Sequence, residues 1–90
     1  MGKRGQWKPS WVRGVRRRYD EVRERWMIVG PERILLPKGP GGAIAAKVDG
    51  DTSVEAMVEA LSEEFDGPKE SIWGDTVAFL EGLERKGYLQ

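Results

Sequence analysis

Apolar and polar residues alternate in the first third of the chain, and this period-2 pattern predicts short β-strands. Residues 13–19 form the first such run, with Val15 and Tyr19 on one side of it. Two apolar runs, residues 26–29 and 33–36, flank the turn sequence Gly-Pro-Glu-Arg and predict a hairpin. We therefore expect a three-stranded antiparallel sheet, with this hairpin as the element around which the domain is organised.

The third predicted strand, residues 33–36, has no further strand to pair with on its far side. A run rich in Pro and Gly, residues 37–42, follows it in place of another hairpin turn. The strand is therefore expected to leave an open, apolar sheet edge. Proteins cover such edges or use them, and one use is to accept an extended peptide as an extra strand.

The remainder of the chain has the 3.6-residue period of amphipathic helices. A short helix is predicted over residues 43–48, and the capping box Thr52-Ser-Val-Glu55 predicts the start of a second helix that ends near Phe65. A third helix is predicted from Asp66-Gly-Pro68 to about Lys86, closed by Gly87. The order of elements predicts an α+β fold of winged helix-turn-helix type, with the three-stranded sheet followed by three helices.

The third predicted helix carries two neighbouring apolar rows, which is more than the covering of a small sheet requires. The first row is expected to hold the core and consists of Ile72, Thr76, Phe79 and Leu83. The second row, which is expected to line a groove, consists of Trp73, Val77 and Leu80.

The residue types present argue against an enzyme. Cysteine and histidine are both absent, so disulfides, thiolate metal sites and the commonest general base are excluded. The carboxylates of Glu63 and Glu64 fall on a solvated helix face, and the glycine-rich run lacks the Gly-Lys-Ser/Thr ending of a phosphate-binding loop. We expect no metal and no cofactor. The charged N-terminus and the short apolar runs predict a cytoplasmic protein without a membrane span.

The charge is unevenly distributed along these 90 residues. Residues 1–18 carry seven basic side chains and no acidic one, leaving eight basic and fifteen acidic side chains for the remainder. Residues 1–11 have no regular period and are expected to form a flexible basic arm on a single domain over residues 12–90. Trp7 and Trp11 either pack on the sheet or stay free for a partner.

Two other kinds of function fit parts of this pattern. The run Arg16-Arg17-Arg18 and the winged-helix outline suggest a nucleic-acid-binding protein, although the acidic second and third helices would repel phosphates. A hinge at residues 37–42 would also permit a swapped homodimer, so both a monomer and a dimer stay open.

A string of residues over positions 12–90 resembles the pyrroloquinoline quinone biosynthesis chaperone D family, PqqD. The most specific part is Trp26 with Gly30-Pro31-Glu32-Arg33. The matching positions before and after it are Arg13-Gly-Val-Arg16, Tyr19-Asp20, Arg25, Asp49-Gly50, Ser53-Val54-Glu55, Val58, Leu61, Phe65, Leu83 and Lys86-Gly-Tyr-Leu89. The run at residues 37–42 departs from the family pattern.

This resemblance implies a non-enzymatic peptide chaperone with a winged helix-turn-helix fold. Such a protein binds the ribosomally made precursor peptide PqqA and presents it to the radical S-adenosylmethionine enzyme PqqE, which cross-links a Glu and a Tyr of the peptide. The leader is expected to add as a strand beside the third strand, in a cleft with the third helix. The candidate peptide-binding residues are Arg33, Ile34, Leu35, Leu36, Trp73, Val77, Leu80 and Glu84.

Overall fold

Three strands form one antiparallel sheet in the order β1–β2–β3. In the computed structural model, which describes residues 3–90 without the side chain of Lys3, these strands are β1 (Arg16–Asp20), β2 (Arg25–Val29) and β3 (Ile34–Leu35). Ile28 is paired with Leu35 and Val29 with Ile34, so the two pairs project to opposite faces of the sheet. Ile28 is completely buried, which identifies its face as the one that packs on the helices.

Three helices follow the sheet, and the predicted α+β architecture of winged helix-turn-helix type is confirmed. They are α1 (Gly41–Ala45), α2 (Val54–Glu64) and α3 (Lys69–Arg85). Helix α1 packs on β2, and α3 packs on both α1 and α2. Within residues 3–90, none of the helices has the length and apolar character that crossing a membrane requires.

The core lies between the inner face of the sheet and the three helices. The α2 stripe contributes four of the five residues expected from the period, because Val54, Met57, Val58 and Leu61 are all buried. Phe65, the fifth, is 41% exposed. It follows the last helical residue in an extended conformation, which turns its side chain away from the stripe.

The ends of the helices are set by local hydrogen bonds. The N-cap of α2 is Ser53, whose hydroxyl accepts from the Ala56 N–H, and not Thr52 as the capping box predicted. Thr52 is instead held one residue earlier, where its N–H and hydroxyl both donate to the Asp49 carboxylate. Gly87 closes α3 as predicted, with a left-handed backbone at φ 85°.

The N-terminal segment packs on the domain, which corrects the expected flexible arm. Residues 1 and 2 of that arm lie outside the described residues. The Val54 N–H at the start of α2 donates to the Trp7 carbonyl at 2.8 Å, and the Gly50 N–H donates to the Pro9 carbonyl at 3.0 Å. These bonds satisfy backbone groups that would otherwise be orphaned at a helix start and a turn.

The two ends of the described chain also pair with each other. Ser10 and Gln90 exchange two backbone hydrogen bonds of 3.1 and 3.0 Å, and Trp11 forms a β-bridge with Leu89. Both tryptophans are half-buried against the core cluster. Of the two roles expected for them, packing is the one observed, on the helical side of the domain and the C-terminus.

Candidate peptide-binding site

Strand β3 is the open edge of the sheet. It pairs with β2 on one side only, and the Gly30 N–H donates to the Arg33 carbonyl at 2.9 Å where the hairpin begins. In an antiparallel ladder the bonding direction alternates, so Leu35 bonds toward β2 while Ile34 and Leu36 direct their N–H and C=O groups away from it. Four backbone groups therefore face the open side, and Pro37 then ends the row because it has no N–H.

Both faces of this edge are apolar. Ile34 lies on the outer face beside Val29 and is 56% exposed, and Leu36, the next residue after β3, is 42% exposed. Leu35 points inward and is half-buried against the core. Exposed large apolar side chains next to unpaired strand edges are typical of peptide-binding or association sites.

Phe79 of α3 forms the wall that faces the end of β3. A Cβ atom placed on Gly41 would lie 2.8 Å from Cε1 of the Phe79 ring and 3.0 Å from Cβ of Pro37, so only glycine fits between them. The Arg25 guanidinium donates to the Pro37 carbonyl at 2.9 Å and fixes the chain as it leaves β3. The glycine-rich run expected to be a free hinge is therefore packed at Gly41, which is buried.

Leu80 does not line the groove, and its expected role is wrong. The side chain is 0% exposed and belongs to the core with Thr76 and Leu83. A peptide laid on the surface of the free domain has no access to it. Ile72 and Phe79, which were expected to be core residues, are only partly buried and lie on the side of α3 toward α1 and β3.

The other expected groove residues of α3 lie on the opposite flank of the helix. Glu84 contacts the Arg4 guanidinium of the N-terminal segment at 2.8 Å. Val77 and Trp73 lie two and three turns before Glu84 on the same helical face. Glu84 therefore directs this face toward the N-terminal segment, on the flank of α3 opposite Phe79. The residues of β3 are adjacent to one another as expected, whereas Trp73, Val77 and Glu84 are not brought to them.

A small cavity lies on the flank of α3 that carries Ile72 and Phe79, near the first turns of the helix. It has a volume of about 260 Å³ and is lined by Pro40, Ile44, Leu61, Phe65, Asp66, Ile72, Asp75 and Thr76. Its walls are mainly apolar, and it is smaller than the 300–1,000 Å³ or so of a typical small-molecule site. Such a space suits one large apolar side chain of a peptide.

The arginine run divides between the two faces of β1. Arg17 points inward, where its guanidinium lies 5.4 Å from the centre of the Trp26 ring and donates to the Val48 carbonyl at 3.3 Å. Arg16 and Arg18 point outward and are exposed. The run is therefore not one basic patch, and the structure offers less support for a nucleic-acid site than the sequence pattern did.

Two aspartates have lowered pKa values, and both act in turns. Backbone N–H donation from Arg23 lowers the pKa of the Asp20 carboxyl, with further donation from Val22 and the Arg23 side chain. Donation from the Asp51 and Thr52 N–H groups and the Thr52 hydroxyl lowers the pKa of Asp49. Neither residue lines the β3 edge. Among residues 3–90, no cluster of three or more His, Cys, Asp or Glu side chains is arranged to hold a metal ion.

The fold and the open edge define a small α+β domain of winged helix-turn-helix type, in which the outer edge of one strand is unpaired beside a helix. Residues 25–89 match the family described as coenzyme PQQ synthesis protein D (PqqD). The chain belongs to the PqqD family, as the resemblance in its sequence indicated.

Curated relatives and solved structures agree with this assignment. The PqqA binding protein of Rhodopseudomonas palustris strain BisB5 is 37% identical over 82 residues, which cover 91% of this chain and 80% of the relative. The chain is also similar to the solution NMR structure of the PqqD truncation of Methylobacterium extorquens PqqCD, with a TM-score of 0.75 and 33% identity over 91% of this chain and 87% of that one. That truncation is described as a functional, stand-alone recognition element for ribosomally synthesised and post-translationally modified peptides. The crystal structure of PqqD from Xanthomonas campestris has a TM-score of 0.57 and 26% identity, covering 96% and 93%.

Proposed function

We propose that this protein is a non-catalytic peptide chaperone that binds the precursor peptide PqqA by adding a peptide strand to β3. The observation that carries the proposal is the open edge, where the N–H and C=O groups of Ile34 and Leu36 face away from β2 next to the Phe79 wall. Relatives that are more than a third identical are named PqqA binding proteins, which supports PqqA as the ligand.

The binding free energy requires contributions from both the peptide backbone and the peptide side chains. Four inter-strand hydrogen bonds at about 1 kcal/mol each supply about 4 kcal/mol, whereas micromolar binding needs about 8 and ordering the peptide costs about 2 to 5 more. The deficit of about 6 to 9 kcal/mol corresponds to about two to six buried apolar side chains at about 1.5 to 3 kcal/mol each. Ile34 and Leu36 outside, and Leu35 and Phe79 inside, offer the surfaces for them.

The chaperone role follows from holding the peptide along one edge only. A strand added to β3 is fixed through its backbone, while the parts of the peptide before and after it stay available to another protein. We propose that this protein is the radical S-adenosylmethionine enzyme PqqE, which modifies the peptide in the cytoplasm. The chaperone supplies position and an extended conformation, and the enzyme supplies the chemistry.

An NMR titration with PqqA tests the proposal. The amides of residues 33–36 should shift more than those on the exposed face of α2, Glu55 to Glu63, because strand addition changes their hydrogen bonding directly. Larger shifts on α2 would move the site elsewhere on the domain.

Two variants at one position separate the backbone from the side chain. Ile34→Pro removes an N–H that faces the open side and leaves the β2 ladder intact, since edge strands tolerate proline where the N–H faces outward. Ile34→Ala removes only side-chain contacts. We expect the proline variant to stay folded and to bind PqqA about 5- to 30-fold more weakly than the alanine variant, for the loss of about 1 to 2 kcal/mol of hydrogen bonding. Equal affinities of the two variants would refute strand addition at this edge.

A further inference from the structure

A basic groove opens where β3 begins. It has a volume of about 440 Å³ and lies between the start of β1, the β2–β3 turn and the end of α3. Its lining residues are Val12, Arg13, Val15, Pro31, Glu32, Arg33, Lys86, Gly87 and Tyr88. Three of these side chains are cationic and one is anionic.

The cations of the groove are available to a ligand. Arg13, Arg33 and Lys86 are all exposed and take part in none of the ion pairs found within residues 4–90. Other basic side chains are engaged: Arg4 pairs with Glu81 and Glu84, and Arg23 pairs with Asp20. With Glu32 as its only acid, the groove keeps an excess of positive charge.

The groove has a fixed floor. The Tyr88 ring is buried and packs on Gly30, where an added Cβ would lie 3.1 Å from its Cε1 atom. The Val12 N–H donates to the Tyr88 carbonyl at 3.1 Å, which ties the start of β1 to the end of α3. The groove is therefore framed by backbone hydrogen bonds, and its cations project from a rigid base.

The position of the groove relates it to the open edge. Arg33 immediately precedes Ile34, so a peptide strand on β3 runs into the groove at one end of the edge. At the other end it meets Pro37 and the Phe79 wall, which are apolar. The two ends of the edge thus differ in chemistry. An extended peptide fits the edge best with apolar residues near Pro37 and anionic residues near Arg33.

We propose that this groove binds the carboxylates of an acidic segment of the precursor peptide, adjacent to the strand that adds to β3. The inference rests on the proposed function and deepens it, because it defines the composition and the polarity of the peptide. For a strand antiparallel to β3, the acidic segment follows the strand toward the peptide C-terminus. Backbone pairing alone does not determine the register and direction of the added strand. Electrostatic complementarity of this kind contributes to register and direction more than to affinity.

Two matched charge-reversal variants test the groove with PqqA as the probe. The test variant is Arg13→Glu/Lys86→Glu, and the control is Arg18→Glu/Arg85→Glu, which changes the net charge equally at exposed residues outside the groove. Neither pair includes a residue of the open edge of β3, and one member of each pair lies at the end of α3. Melting curves of both variants are to be recorded before binding is measured, to establish that the domain is folded.

At about 0.1 M salt we expect the test variant to bind PqqA about 5- to 50-fold more weakly than the wild type, and the control to stay within about twofold. The difference should shrink at about 1 M salt, where exposed charges are screened within about 3 Å. A PqqA peptide whose carboxylates beside the strand are replaced by lysine should bind the test variant better than it binds the wild type.

The possible failures are distinguishable. If wild-type protein does not bind PqqA at all, the proposed function is wrong. If PqqA binds the wild type and the test variant equally, or if both variants lose affinity equally, the groove assignment is overturned while peptide binding stands. Tighter binding of a single-stranded DNA oligonucleotide than of PqqA, lost in the test variant alone, would reassign the groove to nucleic acid.

Discussion

Replacing Leu80 by alanine tests the core of α3 separately from the flank that is proposed to face the peptide. Leu80 is completely buried, so the substitution removes apolar contacts on every side of the side chain. It leaves an apolar cavity, which water does not fill favourably. Leu→Ala changes at such sites cost about 3 to 5 kcal/mol. The free energy of unfolding of a natural domain is about 5 to 15 kcal/mol, so the loss is a large fraction of it.

The matched change is Phe79→Ala at the next position. The Phe79 ring is only half-buried and rests on Gly41, so its loss is expected to cost about 1 to 2 kcal/mol of stability. Its effect on the peptide is expected to be larger, because the ring forms the wall opposite the end of β3. Affinity for PqqA should fall about tenfold or more.

Thermal melts and PqqA titrations on the two variants provide the assay. A loss of about 3 kcal/mol in Leu80→Ala lowers Tm by about 12 to 24 °C in a domain of this size. Below that temperature the remaining folded protein should bind PqqA nearly as the wild type does. A Leu80→Ala variant with an unchanged Tm and a lost affinity for the peptide would refute the assignment of Leu80 to the core.

Two further predictions concern the packing after β3 and the turn before α2. Gly41→Ala should destabilise the domain by about 1 to 2 kcal/mol, measured by urea unfolding, because the new Cβ displaces the Phe79 ring and crowds Pro37. In a Phe79→Ala background the same change should cost less, because only the contact with Pro37 remains, and an equal cost in both backgrounds would contradict the contact with Phe79. The lowered pKa of Asp49 means that its carboxylate stabilises the fold above the ordinary aspartate pKa of about 3.9 and ceases to do so as the pH falls through the lower folded value. Asp49→Asn should therefore be less stable than the wild type near neutral pH and equal to it once the carboxyl is protonated, and a difference that persists in acid would argue against this origin.

The hairpin and the helical core were predictable from the sequence because each depends on a strong local pattern. Trp26 and Ile28 alternate with Met27 and Val29, and the turn at Gly30 fixes where the third strand begins. The open edge followed from chain order alone, since only helical sequence comes after β3. The α2 stripe was predictable up to its last turn, and Phe65 departed from it because the helix ends one residue earlier.

The two flanks of α3 were not predictable from the helical period. The two predicted rows together place seven residues between Ile72 and Leu83, a face so wide that the period cannot tell which row meets the sheet. Contacts distant in sequence decide it, between Arg4 and Glu84 on one flank and between Gly41 and Phe79 on the other. The glycine run carried the missing signal, because a glycine without a turn geometry to explain it indicates a close neighbour. The tryptophans of the N-terminal segment offered no comparable pattern.

The brevity of β3 has a consequence for how copies of the protein meet. The strand has two residues and lies between Pro31 and Pro37, neither of which has an N–H to offer. A second copy approaching edge to edge can form only the few hydrogen bonds of Ile34 and Leu36. The bulk of its folded domain also limits how closely its edge can approach, which is not so for a flexible peptide. Short, proline-bounded edges discourage this kind of self-association. We therefore expect the exposed edge to stay open at high protein concentration without becoming the start of a growing sheet.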